Sequence, residues 1–428
     1  MAGSRLTERA LHGSRGPLVA ICVFVVALGL WNAAHYPTGA GYDAPDHLCY
    51  ANGIFPGFNL PHRDSLTCSG EYYTPPGFYL AAGVVDWLAK QTGYGDPDRA
   101  GQVLNMLFWL GTVLLVAAIA RALWPGRRRI ELGAAAFVAV LPVVVETSAM
   151  FHPEPMSLFL STLALWLCVR TFSNPRYAWA LGVTLGAAQL VRAFALWTVA
   201  AVAIGLFVGR RFRSLAIVLV LAALIPAPWY IHQRLTYGGQ PEFPQPASHH
   251  TLGVSFFVNP GLPGVFTKPF RPHHHTLAIA TTYDSIWGDY WGIWAWHACS
   301  PCKTGVPVVT KPSSSARHLL QLQSLLGLVP TLLALVGWVL FARESARRRE
   351  ELAVVLLAPL ALIGYLYFAV VYWPKDGDLL KATYMLTATS AWAIGFGYAL
   401  DRLRGRLWQV TLALLVVFAL LELPFLVY

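Results

Sequence analysis

The chain has 428 residues, of which 56% are hydrophobic and only 12% are charged, and its formal net charge is +10. Soluble domains carry about 25% charged residues, so a chain this apolar is not expected to fold around one aqueous core. The basic residues lie in short clusters between apolar runs, which is typical of membrane topology and not of a nucleic-acid-binding surface. We therefore predict an all-α, polytopic membrane protein that binds membrane lipid and no nucleic acid.

Apolar runs long enough to cross a bilayer follow one another along the chain. A hydrocarbon core of about 30 Å needs about 20 helical residues. The first run follows several arginines and has no convincing cleavage site of small residues, so we expect an uncleaved anchor with a cytoplasmic N-terminus. The predicted spans of this length lie near residues 16–34, 100–122, 130–149, 155–173, 214–232, 318–341, 351–373, 382–400 and 407–427.

The apolar stretch 177–209 predicts two short passes. As one helix it would be about 50 Å long, too long for a single crossing. A single crossing would also place the arginines before it and after it on opposite sides of the membrane. A turn near Arg192 keeps both clusters on the cytoplasmic side and brings the total to eleven spans.

This topology leaves two long external loops, near residues 35–99 and 233–317, within a single predicted membrane domain over residues 1–428. In the first loop, residues 75–90 have the pattern of a short amphipathic helix. Because it is short for a span and carries Asp86 and Lys90, we expect it to lie flat on the membrane surface.

Ionisable residues with possible chemical roles open the first external loop. Asp43, Asp46 and His47 follow the first span directly, and Tyr50 comes three residues later. A shielded carboxylate in this position is suited to act as a general base toward an acceptor hydroxyl. A polar turn or a helix cap at the membrane interface explains the same residues, and the pattern leaves both interpretations open.

Three further ionisable residues lie at the external ends of predicted spans. Glu154 occupies a very short turn, where a carboxylate also stabilises the start of a helix. Arg192 interrupts an apolar run and suits an anionic group such as phosphate, although arginine also snorkels to the interface. Lys381 opens a span from outside, either as a phosphate contact or as an ordinary flanking anchor.

The second external loop contains an aromatic segment and a pair of cysteines. Residues 283–296 alternate tryptophan and tyrosine with carboxylates, a composition that suits sugar binding or an aromatic belt at the interface. The external cysteines allow three pairings, and the spacing around the C-x-x-C matches no zinc motif, so we predict no metal. We also find no P-loop or Rossmann pattern, and predict no nucleotide cofactor. The four cysteines are Cys49, Cys68, Cys299 and Cys302.

Three local patterns occur in order at external span ends. Residues 43–50 read Asp-Ala-Pro-Asp-His-Leu-Cys-Tyr, residues 71–79 read Glu-Tyr-Tyr-Thr-Pro-Pro-Gly-Phe-Tyr, and the turn at 152–154 precedes a leucine-rich span. With these patterns the chain resembles the GT-C class of membrane glycosyltransferases, in particular the bacterial protein O-mannosyltransferase and lipid A aminoarabinose transferase family. The resemblance covers most of the chain and is strongest over residues 16–230.

The resemblance implies transfer of a hexosyl or pentosyl sugar from a polyprenyl-phosphate donor to an acceptor outside the cytoplasm. It implies that Asp43 deprotonates the acceptor hydroxyl and that Glu154 helps to hold the acceptor or the base. Arg192 and Lys381 fall where the family has basic residues that stabilise the leaving phosphate.

The first-loop pattern also departs from the family. His47 and Tyr50 match it and are predicted to bind substrate, but Ala44 replaces the usual glutamate. Asp46 is an additional carboxylate that is able to share the role of base. The second-loop acid is Glu154, where aspartate is more frequent.

Two other functional classes remain open from the sequence. A transporter should have ionisable positions near the middle of the membrane in paired halves, whereas the polar residues here cluster toward the outer face. The departure at Ala44 leaves open a catalytically inactive scaffold of the cell envelope. The sequence specifies neither the sugar nor the acceptor.

Overall fold

The computed structural model describes most of the chain as helix. No strand occurs among the described residues, in agreement with the predicted all-α fold. For residues 2–15 and 371 the structure describes the backbone only. The described residues are 2–61, 68, 71–93, 95–237, 253–271, 277–292, 294, 313–345, 348–371 and 380–428.

The described part of the first half of the chain forms eleven α-helices. A short 3₁₀ turn at Ala193–Ala195 separates the eighth helix from the ninth. These helices are α1 (Ala2–His35), α2 (Ala44–Ile54), α3 (Gly77–Gln91), α4 (Arg99–Leu123), α5 (Arg128–Val140), α6 (Pro142–Ala149), α7 (Glu154–Ser173), α8 (Tyr177–Val191), α9 (Leu196–Val208), α10 (Phe212–Leu224) and α11 (Ala227–Tyr237).

The described part of the second half adds eight α-helices. Further 3₁₀ segments lie at Arg349–Glu351 and Ala382–Ala388, each directly before a long helix. These helices are α12 (Val254–Val258), α13 (Gly264–Thr267), α14 (Ala278–Trp287), α15 (Ser314–Leu326), α16 (Leu328–Ser345), α17 (Leu352–Val371), α18 (Thr389–Arg402) and α19 (Gly405–Leu426).

Seven helical segments in the described residues are long and apolar enough to cross a membrane, or eight if the pair α5 and α6, bent by 51°, counts as one span. Two shorter apolar helices occupy 177–191 and 193–208, where two short passes were predicted. The 3₁₀ segment before α18 and α18 itself cover the predicted span 382–400. Every predicted span therefore has a helical counterpart, while the count of eleven crossings stays a prediction.

The break predicted near Arg192 is present in the structure. Helix α8 ends at Val191, and Arg192 has an extended backbone with φ −149° and ψ 135°. The Gln189 amide donates a hydrogen bond of 2.7 Å to the Ala222 carbonyl and so ties the end of α8 to α10. The chain therefore turns at the residue whose side chain carries the charge.

The turn before α7 is held by two amide side chains of α4. Gln102 donates to the carbonyl of Ala149 at 2.8 Å, and Asn105 donates to the carbonyls of Met150 and His152 at 2.9 and 2.8 Å. Irregular backbone in a membrane protein needs such partners, because few waters are present to satisfy it. These bonds fix the position from which Glu154 starts α7.

The two described helices of the first external loop pack closely against each other. A Cβ on Gly83 of α3 would lie 2.6 Å from the carbonyl oxygen of Ala51 in α2, so the two backbones are in close contact. Cys49 and Cys68 form a disulfide, one of the three pairings left open by the sequence. Asp86 of α3 is buried, so this face of the predicted surface helix packs against protein. Its flat placement on a membrane stays a prediction.

Most described aromatic residues of the segment 283–296 are buried in the protein. The tryptophans at 287, 291 and 294 and Tyr290 are each less than 5% exposed. Asp284 accepts a hydrogen bond from Ser324, and Asp289 accepts one from the backbone amide of Trp294. This burial and these hydrogen bonds do not favour the sugar-binding interpretation, which stays a prediction.

Candidate active site

Two of the predicted site residues, Asp43 and Lys381, form an ion pair although 338 positions separate them in sequence. The Lys381 ammonium donates to Oδ2 of Asp43 at 3.1 Å and lies 5.0 Å from the centre of the Tyr42 ring. The side chain of Asp43 is 35% exposed and that of Lys381 12%. The pair therefore lies at the edge of the protein interior, with part of the carboxylate open to an incoming molecule.

A second ion pair joins Glu154 to Arg192. Nε of Arg192 lies 2.9 Å from Oε1 of Glu154, and the two side chains are 11% and 3% exposed. Nη1 of the same guanidinium lies 3.5 Å from the Thr74 hydroxyl and 3.9 Å from Oε2 of Glu71. The Arg192 head thus faces a polar cluster inside the protein, which disfavours the snorkelling interpretation.

Glu71 belongs to this cluster, and sequence reasoning missed it as a site residue. Its Oε2 accepts hydrogen bonds from the hydroxyls of Thr74 and, at 3.3 Å, Tyr79. Nδ1 of His47 lies 3.7 Å from the same oxygen. The available signal was its position, since Glu71 opens the second of the three patterns in an external loop.

His47 and Tyr50, the residues predicted to bind substrate in the first loop, are fully buried. Nδ1 of His47 lies 2.8 Å from the Tyr79 hydroxyl, and its ring meets His152 edge-on at 4.8 Å. Tyr50 stacks on Tyr79 at 3.9 Å and donates to the Thr74 carbonyl at 3.3 Å. Both residues hold the cluster together, and their predicted contact with substrate stays a prediction.

Asp46 lies on the first turn of α2, where its backbone amide donates to the carbonyl of Asp43 at 3.0 Å. Its side chain is half-buried. Partial burial, followed by the charge of Asp43, raises the pKa of Asp46 above its ordinary value. Of these two aspartates, Asp46 is therefore the stronger base once ionised, and Asp43 is the one held next to a cation.

Neighbouring charges and burial shift the pKa values of Asp43, His47 and Glu71 in different directions. Burial alone would raise the pKa of Asp43, but the effects of Lys381, His47 and Arg192 together outweigh it and lower that pKa below its ordinary value. Burial and the Arg192 charge lower the pKa of His47 to about 3. Burial raises the pKa of Glu71 to about 7, against the opposing effect of Arg192. At neutral pH the site thus holds an ionised Asp43, a neutral histidine and a Glu71 close to its midpoint.

Metal ligands do not gather at this cluster. Across the described residues, no three His, Cys, Asp or Glu side chains lie together in a way that would hold a metal ion. Cys299 and Cys302, with the neighbouring histidines of the second loop, lie outside the described residues.

An apolar cavity of about 180 Å³ has Ala382, the residue after Lys381, in its wall. Helices α5, α6, α14, α16, α17 and α18 line it together with the 3₁₀ segment that follows the lysine. Its wall includes Phe137, Trp287, Leu335, Ala382, Met385 and Leu386. The lining is almost entirely apolar, and its one link to the polar cluster in the described residues is that Ala382 follows Lys381 in the chain.

Comparison with known proteins is consistent with this arrangement. A family model described as dolichyl-phosphate-mannose-protein mannosyltransferase matches residues 82–234, slightly more than a third of the chain. No curated protein matches the sequence. The matched segment contains α4 to α10, and with them Glu154 and Arg192.

Several solved structures share the fold. ArnT from Cupriavidus metallidurans bound to undecaprenyl phosphate aligns with a TM-score of 0.54 at 16% identity, over 94% of this chain and 62% of ArnT. The apo oligosaccharyltransferase of Archaeoglobus fulgidus aligns with a TM-score of 0.52 at 13% identity, over 97% of this chain and 55% of its own. The same organism's AglB, in complex with an inhibitory peptide and a dolichol-phosphate, aligns with a TM-score of 0.50 at 14% identity, over 97% and 55%.

The chain thus spans less than two thirds of the length of these neighbours while nearly all of it aligns. Structural similarity over nearly the whole chain establishes the fold. Because the sequence identity is low, the chemistry has to be argued from the site itself. The resemblance drawn from the three sequence patterns is confirmed at this level: the chain is a multi-pass membrane protein with the fold of the GT-C class of glycosyltransferases.

Proposed function

We propose that the protein transfers a sugar from a polyprenyl-phosphate donor to an acceptor hydroxyl on the non-cytoplasmic side of the membrane. The observation that carries this proposal is the ion pair between a partly exposed, ionised Asp43 and Lys381. A second cation, Arg192, is held in the same polar cluster by Glu154, and the residue after Lys381 lines an apolar cavity. Transfer from a lipid-linked sugar phosphate needs three groups: a base for the acceptor hydroxyl, cations that stabilise the leaving phosphate and an apolar space for the polyprenyl chain.

In the proposed reaction, Asp43 takes the proton of the acceptor hydroxyl while the hydroxyl oxygen forms a bond to the anomeric carbon. The bond from that carbon to the phosphate oxygen breaks, and polyprenyl phosphate leaves as an anion. Lys381 and Arg192 stabilise the developing negative charge. No general acid is needed, because the leaving phosphate carries its charge without a proton.

The low pKa of Asp43 is compatible with this role. A carboxylate paired with Lys381 is ionised throughout the physiological range, so the base is always in its active form. The hydroxyl becomes acidic only as its oxygen bonds to carbon, and it is then able to protonate a weak base. Glu154 would hold Arg192 in place through the 2.9 Å contact.

Known properties of the neighbours support the choice of donor. ArnT binds undecaprenyl phosphate, and AglB binds a dolichol-phosphate. A chain of isoprene units is apolar and would enter the cavity beside Ala382 with its phosphate next to Lys381. We propose a hexosyl or pentosyl unit as the transferred group, with the acceptor to be identified.

The first test of this proposal is a transfer assay with protein in lipid nanodiscs. A panel of radiolabelled polyprenyl-phosphate sugars would be offered with an envelope extract as acceptor. We expect Asp43→Asn to lower transfer by about 10²–10⁴-fold, since an amide cannot take the proton. Full activity in Asp43→Asn would contradict the assignment of the base.

Matched variants separate the base from nearby carboxylates. Asp96→Asn changes an exposed aspartate that pairs with Arg99 outside the cluster, and it should retain native transfer. Asp46→Asn tests the second aspartate of the first loop. If Asp46→Asn abolishes transfer and Asp43→Asn does not, the two roles are exchanged.

A further inference from the structure

Glu71 is a buried carboxyl group that the proposed reaction does not use. It is only 4% exposed, and its Oε2 collects the hydroxyls of Thr74 and Tyr79. The same oxygen faces Nη1 of Arg192 at 3.9 Å and Nδ1 of His47 at 3.7 Å. It therefore touches both the cation assigned to the leaving phosphate and the first-loop histidine.

Three carboxyl groups lie within 4 Å of only two cations, Lys381 and Arg192. Asp43 is paired with Lys381 at 3.1 Å, and Glu154 with Arg192 at 2.9 Å. Glu71 shares Arg192 at the longer distance of 3.9 Å. A buried carboxylate without a close counter-charge is costly, so this third acid is the one that takes up a proton most easily.

We infer that Glu71 is a positioning residue that competes with the phosphate of the lipid substrate for Arg192 and takes up a proton when that phosphate binds. The inference rests on the function proposed above. An anion next to Arg192 neutralises the charge that favours ionised Glu71 and adds a second negative charge nearby. Both effects favour the neutral acid, and the contact at 3.9 Å is displaced more readily than the one at 2.9 Å.

Glu71 is expected to change its charge near neutral pH, whereas His47 and Tyr79 beside it are not. The pKa of Glu71 is raised to about 7 by burial. His47 has a pKa lowered to about 3, and burial raises the pKa of Tyr79 above its ordinary value, so neither changes charge near pH 7. The charged and titratable groups that surround Glu71 are Asp43, Asp46, His47, Tyr79 and Arg192.

The sign of the expected pH dependence follows from this competition. Below pH 7 Glu71 is mostly neutral and leaves Arg192 to the phosphate. Above pH 7 it is ionised and opposes phosphate binding. If binding raises its pKa by about two units, the competition weakens affinity about tenfold between pH 6 and pH 8.

The experiment measures binding of undecaprenyl phosphate to the full chain in nanodiscs between pH 6 and pH 8.5. Native protein and Glu71→Gln would be compared, because the phosphate itself titrates near pH 6 and affects both equally. We expect the ratio of Kd at pH 8 to Kd at pH 6 to be about tenfold larger for native protein than for the variant. Calorimetry in buffers of different ionisation enthalpy should detect the additional proton uptake in native protein only.

Two outcomes overturn the inference. Parallel pH dependence of Kd in native protein and Glu71→Gln would show that Glu71 does not compete. Failure of the native protein to bind undecaprenyl phosphate at any pH would reject the proposed donor class, and the inference with it.

A second variant keeps the test independent of how well Glu71→Gln folds. Thr74→Val removes the hydroxyl that donates to ionised Glu71 and preserves the shape of the side chain. Loss of that hydrogen bond should raise the pKa of Glu71 and move the midpoint of the pH dependence to higher pH. An unchanged midpoint in Thr74→Val would contradict the inference.

Discussion

At the scale of single residues, Arg192 has two tasks that use different atoms of one guanidinium. Nε contacts Glu154, while Nη1 points toward Thr74 and Glu71. Arginine is suited to this arrangement because its planar head holds several donors in fixed directions. A lysine offers one compact ammonium, which is unable to occupy both positions at once.

We expect Arg192→Lys to weaken binding of polyprenyl phosphate by about tenfold or more, the equivalent of one lost hydrogen bond to a charged group. The matched control is Arg121→Lys, which changes a half-exposed arginine paired with Glu131. Binding in nanodiscs at fixed pH checks the prediction. Equal affinity in Arg192→Lys and native protein would mean that Arg192 serves only to neutralise Glu154.

At the scale of elements, the site depends on the close approach of α3 to the end of α8. A Cβ on Gly77 would lie 2.6 Å from the carbonyl oxygen of Leu190, two residues before Arg192. Backbone cannot move aside as cheaply as a flexible side chain. The absence of a side chain at Gly77 is therefore needed for the break at Arg192 to reach the first-loop cluster.

The corresponding prediction is that Gly77→Ala destabilises the protein by about 1–3 kcal/mol, as overpacking does, and lowers transfer by displacing Arg192. Gly95→Ala is the control, because a Cβ there has no heavy atom within 4 Å. Thermal unfolding in detergent and the transfer assay measure both effects. A Gly77→Ala variant with native stability would show that α3 and α8 separate without cost.

At the scale of the whole molecule, the proposed chemistry requires the cluster to face away from the cytoplasm. The basic residues concentrate in short loops such as those near 127–129 and 210–213, which predicts that these loops are cytoplasmic. The first external loop, with Asp43 and Glu71, must then lie on the opposite side.

Cysteine labelling in intact cells tests this orientation. We expect Gly95→Cys to react with an impermeant maleimide, and Pro125→Cys to react only after the membrane is opened. Both positions lie in turns between helices, and native protein reports the background from its own cysteines. Labelling of Pro125→Cys in intact cells, with protection of Gly95→Cys, would reverse the topology and place the site inside.

The sequence by itself determined the helical class, the positions of the apolar segments and the break at Arg192. These features follow from local composition, because a bilayer demands a minimum apolar length and a buried charge interrupts it. It also singled out Asp43, Glu154, Arg192 and Lys381, each a charged residue at the end of an apolar run.

Only the tertiary structure decided which of these charges meet. Asp43 pairs with Lys381 across 338 positions, and no local pattern encodes such a contact. Glu71 likewise meets His47, Tyr79 and Arg192 only through the folding of the chain. His47 and Tyr50 matched a motif but are fully buried. Pairing and burial depend on how the helices pack, and packing is determined by many contacts between residues that are distant in sequence. The sequence therefore shows the charged groups, and the structure shows their partners.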